Sequence, residues 1–497
     1  MAKRPQGLHK AAVARKKQKT EAPANEVSEE IESVENDEEI IQFDEDVDPN
    51  DEISSLYAIY KKHIADHKES MESDFKKDWE DELKYINLMI NTCDNILRMN
   101  EKKKQDASNS KESEDTAAEK SKEKEPIDFI PLQLPNKVYH IYAFALISRG
   151  CILLDKESFL IRYHQEKKID KERAIGFFEL GLDMLENSTD LSGSVANTDG
   201  GEAFFLKSWG TGMLLQNNLV TKLKETARAY STEMEPLINT AKDMFTKGME
   251  LVKKDQAITE TCINAIELLQ QLADNIYSAW NDADKETFNT GEVRLEGPNI
   301  STHNKFWERS NNLQDWTCMQ YKELEKKAIT NDDKAFTLAG IASYHLMRAT
   351  PLIDQFERLA EHFEDTADER PVRALQNKGK MELEESIKLF EKAEKLYSDK
   401  AEKKRNILLV TIAEAKLSLR DLLNEVDYLP GESKETRESY DTLQEELKTD
   451  AVMRLKKAIR MSLGDFNEIL EDLEDEEYDE DDNDDDGDDD DDDDNAE

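Results

Sequence analysis

The sequence predicts an all-α fold built from stacked helical hairpins, and three observations support this. Glycine and proline are sparse, at 17 and 11 of 497 residues, which favours long helices over turn-rich β structure. Apolar residues recur near the 3.6-residue period of a helix along most of the chain, with almost no strand-like alternation. A recurring spacing of small and large residues, described below, indicates how the helices pack against one another.

The first nineteen residues, MAKRPQGLHKAAVARKKQK, are basic, although the formal net charge of the chain is −45. Two basic clusters separated by a ten-residue spacer match a two-part nuclear import signal. Its candidate cations are Lys3, Arg4, Arg15, Lys16, Lys17 and Lys19. A solubilising or RNA-contacting arm is the alternative interpretation. We favour import, which predicts a nuclear protein that binds an import receptor.

Composition and periodicity divide the chain into five segments. Residues 1–50 are predicted to be disordered, with the basic import signal followed by an acidic stretch. Residues 51–100 are predicted to form a helical pair that joins the body. Residues 101–136 are charged and low in complexity, so we expect a disordered linker. Residues 137–470 are predicted to form a tetratricopeptide-like α-helical repeat domain. Residues 471–497 contain twenty-one acids and no base, and we expect them to form a disordered poly-acidic tail.

Three segments of the predicted repeat domain place a small, a large and a small residue at i, i+4 and i+7. This spacing is typical of the second helix of a tetratricopeptide hairpin, where small residues admit a neighbouring helix. The predicted packing positions are Ala174, Phe178, Gly181, Ser386, Phe390, Ala393, Ala451, Leu455 and Ala458. Ordinary amphipathic helices are the alternative, and Arg420 stands where a tetratricopeptide unit usually has Gly. We predict a divergent tetratricopeptide-like helical-hairpin solenoid.

The acidity of the chain limits its partners. The segment between the basic head and the acidic tail is itself strongly acidic, so we expect no direct nucleic-acid binding by the body. Basic proteins are more plausible partners. No apolar run approaches eighteen residues, so no membrane segment is expected. Four scattered cysteines without a CxxC pair fit a reducing compartment and predict neither a zinc site nor a disulfide framework.

No motif predicts catalysis, a cofactor or a metal centre. His63 and His67 are spaced to share a metal on a helix, but no third ligand is evident, and a helix face is the simpler interpretation. Residues 482–493 copy the ligand spacing of an EF-hand loop without an exiting helix. Gly210 and Gly212 do not complete a nucleotide-binding glycine motif. We expect the five tryptophans to fill the core.

Several short segments resemble the fungal enhancer of translation termination family. The opening MAKRPQGLHK matches the start of these proteins through Lys3, Arg4, Pro5, Gly7, Leu8 and Lys10. The segments that resemble helical landmarks of the family, in the same order, are CDNILR (93–98), HIYAFAL (140–146), FFELGL (177–182) and IAEAKLSLRDLL (412–423). An extra linker at 101–126 and a longer poly-Asp tail depart from the family pattern.

The resemblance implies a nuclear, tetratricopeptide-like protein that supports accurate translation termination. It also implies association with a 2-oxoglutarate/Fe(II) prolyl hydroxylase that modifies a small-subunit ribosomal protein, and a link to oxygen-responsive gene expression. Other ribosomal proteins and release factors are further expected partners.

A chaperone for histones or basic ribosomal proteins is the alternative, with the acidic tail as an electrostatic shield. Such a chaperone would lose its partner when residues 471–497 are removed. A termination adaptor would instead depend on the helical body.

Overall fold

The computed structural model describes residues 51–70, 78–114, 134–155, 171–186, 201–222, 230–253, 258–289, 299–361, 370–398, 401–424, 434–461 and 466–479. Within these ranges the chain forms thirteen α-helices and no β-strand, so the predicted all-α helical-hairpin fold is confirmed. The chain divides into two compact units, of which one spans Glu35–Asp333 and the other includes Lys334–Glu497. We call these the amino-terminal and carboxy-terminal units.

The amino-terminal unit contains eight of the described helices. They are α1 (Glu52–Ser70), α2 (Asp78–Glu114), α3 (Asn136–Asp155), α4 (Lys171–Glu186), α5 (Glu202–Lys222), α6 (Tyr230–Leu251), α7 (Glu260–Asn289) and α8 (Asn299–Lys327). Each helix packs against the next one in the chain, and α1, α3, α5 and α7 also pack against one another in order. The unit therefore has an odd-numbered layer of stacked helices, with the even-numbered helices forming a second layer, as in a hairpin solenoid.

The hairpins of this unit close tightly because glycines face aromatic rings. A Cβ atom on Gly150 of α3 would lie 2.5 Å from the Phe178 ring of α4. A Cβ on Gly248 of α6 would lie 2.7 Å from the Phe205 ring of α5. Glycine is required at both positions because any side chain would push the helices apart.

The five helices of the carboxy-terminal unit follow the same order of packing. They are α9 (Asn331–Glu361), α10 (Arg370–Leu396), α11 (Glu402–Asn424), α12 (Lys434–Arg460) and α13 (Asn467–Asp479). Two cores join α9, α10 and α11, around Phe356 and around Phe390. A third core joins α11, α12 and α13 through Ala413, Leu455 and Leu470. Helix α11 thus lies at the centre of the unit.

Side chains at the helix ends satisfy the first backbone N–H groups. Asp51 accepts hydrogen bonds from the Ile53 N–H at 3.1 Å and from the Ser54 hydroxyl, and the Ser54 bond is the main reason why the pKa of Asp51 is lowered. Thr330 and Asp333 form a reciprocal capping pair at the start of α9, with backbone-to-side-chain distances of 3.0 and 3.3 Å. These caps fix where the first and the ninth helix begin.

Helix α3 is the most apolar segment of the chain, and here the prediction of no long apolar run was wrong. Residues Asn136–Leu154 are long and apolar enough to cross a membrane by length and composition, with a mean hydropathy of 1.3. However, 72% of the apolar window is buried inside the protein. Because neighbouring helices cover it on most sides, the helix has the character of a central core helix.

Two helices continue past predicted segment boundaries, and the predicted repeat domain spans parts of two compact units. Helix α2 continues to Glu114, past the predicted start of the linker at 101, because residues 101–114 lack Gly and Pro and extend a helix already formed. Helix α13 continues to Asp479, past the predicted start of the tail at 471, because Leu470 and Leu473 are buried against α11 and α12. The predicted single repeat domain falls into two units that divide at residues 333 and 334.

Candidate protein-interaction surface

The nine predicted packing positions are all buried in the structure. Ala174, Phe178 and Gly181 lie on α4, Ser386, Phe390 and Ala393 on α10, and Ala451, Leu455 and Ala458 on α12. All three helices are even-numbered and form the second member of a hairpin, with α3, α9 and α11 as the first. The large residue of each set is less than 2% exposed.

Sequence reasoning missed two further examples of the spacing. Ala241, Phe245 and Gly248 repeat it on α6, and the Phe245 ring packs at a tilt against the Phe205 ring of α5 with centroids 5.2 Å apart. On α8 the corresponding residues are polar, namely Ser310, Gln314 and Thr317, and all three are buried. The α6 set could have been found from the segment AKDMFTKG, whereas the polar set carries no apolar signal.

With these even-numbered faces engaged in packing, the exposed side of α11 is a candidate surface for partners. Ile407, Thr411, Glu414, Ser418 and Asp421 follow one another at i, i+4, i+7, i+11 and i+14, and we call them the α11 stripe. All five are exposed or half-buried, and Ile407 is 52% exposed. Because residues on the other sides of α11 pack into the three cores, this stripe is the face that remains open.

The last odd-numbered helix of the amino-terminal unit carries a similar face. Ile263, Glu267, Gln271 and Asp274 follow at i, i+4, i+8 and i+11 on α7, and we call them the α7 stripe. Glu267 and Gln271 are exposed. Each stripe combines one isoleucine with two carboxylates and contains no Lys or Arg. Both faces therefore combine acidic and apolar groups, and all four carboxylates also interact with other residues of the chain.

An ion-pair network fixes the orientation of α11 between its two neighbours. The Lys416 ammonium lies 2.7 Å from a carboxylate oxygen of Glu391 on α10 and 2.7 Å from one of Asp450 on α12. Arg454 of α12 donates to Asp450 at 2.7 Å and to Glu394 of α10 at 2.9 Å. The network ties three helices together and so holds the α11 stripe outward.

Burial and hydrogen bonding act in opposite directions on these charges. Burial alone would raise the pKa of Asp450, but hydrogen bonds from Lys416 and Arg454 hold it below its ordinary value. Burial alone would lower the pKa of Arg454, but its bonds to Asp450 and Glu394 raise it. Both groups are therefore charged at neutral pH.

The residues considered for metal or nucleotide chemistry have structural environments where the structure describes them. His63 is buried, not on an open helix face, and its ring lies 5.8 Å from those of Tyr85 and Phe144. Gly210 and Gly212 lie inside α5, close to Ile147 and Leu268 rather than in a phosphate-binding loop. The described residues contain no group of three or more His, Cys, Asp or Glu placed to hold a metal ion.

The four cysteines of the described segments are not joined in disulfide bonds. Cys93, Cys262 and Cys318 are buried, and Cys151 is partly exposed. Burial raises the pKa of the Cys93 and Cys262 thiols, which disfavours the nucleophilic thiolate. These three buried thiols have the character of core residues.

Trp209 is buried in the core as predicted, whereas Trp316 is half-buried and packs against a core ring. Trp209 is buried with its ring 6.1 Å from Phe144, and Trp316 meets the Phe245 ring edge-on at 5.7 Å. The side chains of Trp79, Trp280 and Trp307, the six import cations, His67 and the EF-hand-like segment lie outside the residues that the structure describes.

Comparison with known proteins identifies the family of this layered helical body. The family model described as nuclear pore complex subunit Nro1 matches residues 1–474. The chain belongs to the Nro1 family.

Curated relatives of this Nro1-family chain are yeast proteins named enhancer of translation termination 1. The protein from Scheffersomyces stipitis is 29% identical over 279 residues, which cover 55% of this chain and 52% of the relative. The protein from Clavispora lusitaniae is 30% identical over 37% of this chain and 32% of the relative. The protein from Debaryomyces hansenii is 34% identical over 29% of this chain and 27% of the relative.

These comparisons confirm the family resemblance seen in the sequence. The aligned part of the chain spans about half the length of the relative from S. stipitis, and less of the other two. The family is described as a nuclear pore complex subunit and the relatives are named as enhancers of translation termination.

Proposed function

We propose that the protein is a non-enzymatic nuclear adaptor required for correct translation termination. The observation that carries the proposal is the name shared by its three yeast relatives, enhancer of translation termination 1. The family description as a nuclear pore complex subunit and the basic amino-terminal head both favour a nuclear location. Maturation of ribosomes in the nucleus would connect that location to a cytoplasmic reaction.

The helical architecture supports the role of an adaptor. Stacked helical hairpins present long surfaces that suit peptides and other proteins. The α7 and α11 stripes add carboxylates and an exposed isoleucine to such surfaces. We propose that they contact basic segments of the termination or ribosome-assembly machinery, including ribosomal proteins or release factors.

The partner that the family resemblance favours is a 2-oxoglutarate/Fe(II) prolyl hydroxylase that modifies a ribosomal protein. In this proposal the hydroxylase supplies the chemistry and the helical protein supplies binding. The same association would connect the chain to hypoxic gene expression. We expect the hydroxylase to co-precipitate with the full-length chain. We expect this co-precipitation to be lost when Glu414 is changed to Gln and Asp421 to Asn.

Stop-codon readthrough in a dual reporter tests the proposed function. Cells that lack the protein should show raised readthrough, and both the full-length chain and residues 1–479 should correct it. The truncation ends at Asp479 because a cut at 470 would remove Leu473, which is buried beside α11 and α12. Unchanged readthrough in the deleted strain would contradict the proposal.

The import signal gives the adaptor proposal a second test. Lys16→Ala with Lys17→Ala should move the protein to the cytoplasm and raise readthrough together. A cytoplasmic variant that retains full activity would show that termination does not depend on nuclear entry, and ribosome maturation in the nucleus would no longer explain the effect.

An acidic nuclear chaperone for histones or basic ribosomal proteins is the second candidate function. The observation that favours it is the net charge of −45, with fourteen of the acids in residues 480–497. A chaperone should lose its basic partner on removal of 480–497, whereas the adaptor should keep its partner. Pull-down from nuclear extract with full-length chain and residues 1–479 separates the two.

A further inference from the structure

We propose that one end of the carboxy-terminal unit is a docking surface for the poly-acidic tail of the same chain, residues 480–497. Six bases define this surface, which we call the basic end. They are Lys392 and Lys395 of α10, Lys404 of α11, and Lys456, Lys457 and Arg460 of α12. The inference is independent of the proposed role in termination.

Helix directions bring these bases together. Arg454 of α12 bonds to Glu394 of α10, and Lys380 of α10 lies over the Tyr440 ring of α12 at 4.7 Å. Each pair is separated by sixty residues, so α10 and α12 run parallel and their carboxyl ends coincide. Lys416 of α11 pairs with both Glu391 and Asp450, so these three residues lie at the same height along the helices. Because α11 runs antiparallel to α10 and α12, its first turn lies at the end where those two helices finish.

Several bases at this end have no acidic partner among the described residues, although acids also lie here, namely Asp332 and Asp333 at the start of α9 and Glu468 and Glu471 at the start of α13. Two adjacent bases are paired, Lys388 with Glu385 at 2.8 Å and Arg405 with Glu402 at 3.8 Å. The exposed bases that make no ion pair with any residue the structure describes are Lys392, Lys395, Lys457 and Arg460. These exposed cations are the groups at this end with which an anionic segment can pair.

Helix dipoles explain part of this pattern. Cations in the last turns of α10 and α12 complement the partial negative charge of helix carboxyl ends. Lys404 and Arg405 lie in the first turn of α11. The amino end of a helix carries partial positive charge, so these two cations interact unfavourably with the dipole of their own helix. An anionic ligand at this end would interact favourably with the amino end of α11 and with the cations, whereas the carboxyl ends of α10 and α12 would oppose it.

The tail has the charge and the reach to be that ligand. Residues 480–497 contain fourteen acids and no base. Helix α13 starts beside the end of α12, because Phe466 and Leu470 pack with Ala458, and its thirteen residues extend for about 20 Å. A further eighteen residues can span up to about 60 Å, which is more than enough to return. Attachment to the same chain gives an effective concentration on the order of millimolar.

Docking in this way would neutralise the basic end and hold the tail away from basic proteins. The interaction would weaken with salt, because the charges are at the surface and the Debye length is only about 8 Å at physiological ionic strength. The surface and its ligand would then form an intramolecular electrostatic contact that other polyanions could displace.

A binding measurement with a fluorescent peptide of residues 480–497 tests the proposal. The protein used is the full-length chain with the fourteen tail acids replaced by Ser, which frees the basic end. We expect this chain to bind the peptide at least tenfold more tightly than the natural chain does at 50 mM salt, and to lose binding at 0.5 M salt. Equal binding by the two chains, or none by either, would overturn the proposal.

Charge reversal locates the site. Lys392→Glu, Lys395→Glu and Lys457→Glu in the Ser-tail chain should reduce peptide affinity at least tenfold. Exposed Lys102, Lys103 and Lys104 of α2, changed to Glu together, provide the matched control and should leave affinity within twofold. Circular dichroism verifies that both variants are folded. Equal losses in the two variants would mean that net charge and not the basic end attracts the peptide.

Two other outcomes would also contradict the proposal. Tighter binding of a single-stranded RNA than of the peptide, lost in the Lys392, Lys395 and Lys457 variant, would make the basic end a nucleic-acid site. A natural chain that is dimeric by light scattering, and monomeric with the Ser tail, would mean that the tail docks on a second copy.

Discussion

The hydroxyl of Ser386 donates a hydrogen bond to the backbone carbonyl of Ala342 at 2.9 Å, joining the fully buried faces of α10 and α9. The same contact recurs in two other hairpins. Ser208 of α5 donates to the Ala241 carbonyl of α6 at 2.9 Å, and Ser310 of α8 to the Ala273 carbonyl of α7 at 2.8 Å. The small position of the helical hairpin is therefore a point where one helix bonds directly to the backbone of the other.

Replacement of Ser386 separates the two roles of this position. Ser386→Ala keeps the small size and removes one hydrogen bond, so we expect a loss of about 1 kcal/mol in the free energy of unfolding. Ser386→Val adds bulk at the same point and should cost about 1–3 kcal/mol more through overpacking. Urea denaturation measures both, and a Val variant as stable as the Ala variant would contradict the close packing.

Phe178 tests the packing of the amino-terminal unit. Its ring is fully buried between α4 and α3, so Phe178→Ala should lower the free energy of unfolding by about 3–5 kcal/mol. Leu180 lies two residues away and is 40% exposed, and Leu180→Ala should cost less than about 1 kcal/mol. Thermal melts that show equal effects for the two variants would argue against the assigned face.

Two glycines of the α3–α4 hairpin should respond to alanine in opposite directions. Gly150→Ala would place a Cβ 2.5 Å from the Phe178 ring and should destabilise the protein by about 1–3 kcal/mol. Gly176 of α4 is exposed with no atom within 4 Å of a Cβ, so Gly176→Ala should stabilise by about 0.5–1 kcal/mol. The relevant measurement is the shift of the unfolding midpoint, and a destabilising Gly176→Ala would conflict with the helix exposure described.

The Lys416–Asp450–Arg454 network predicts a specific dependence on pH. The pKa of Asp450 is lower in the folded chain than in the unfolded chain, where it is about 3.9. The contribution of Asp450 to the free energy of unfolding is therefore complete above about pH 3.9. It is lost as pH falls through the lower folded pKa. Asp450→Asn should cost about 1 kcal/mol at pH 7, since the carboxylate is partly exposed and screened.

A pH series separates this network from general acid sensitivity. The difference in stability between the natural chain and Asp450→Asn should shrink as pH falls below about 4. Asp441→Asn, on the same helix and exposed, should show no comparable difference at pH 7. A difference that is constant from pH 7 to pH 3 would contradict the assigned ion pairs.

The sequence predicted the fold through its periodicity and small residues, and what it missed has physical reasons. Gly181 and Ala393 lie at buried helix contacts because only small side chains allow that approach. The helical extension through Glu114 was missed because low apolar content predicts poor packing but does not prevent helix formation.

The interaction surface was harder to predict. The α11 stripe contains a polar pattern that any solvated helix could show, and its significance depends on which sides of α11 the other helices cover. The basic end depends on the parallel course of α10 and α12, which residues sixty positions apart do not reveal without coordinates.

The most direct test of the central claim is readthrough with the α11 stripe neutralised. Glu414→Gln with Asp421→Asn, in the full-length chain, should fail to correct readthrough in cells that lack the protein. Glu445→Gln with Glu446→Gln, on the exposed face of α12, removes equal charge and should correct it fully. Full correction of readthrough by both variants, with both expressed at natural levels, would contradict the proposal that the helical body acts through the α11 stripe.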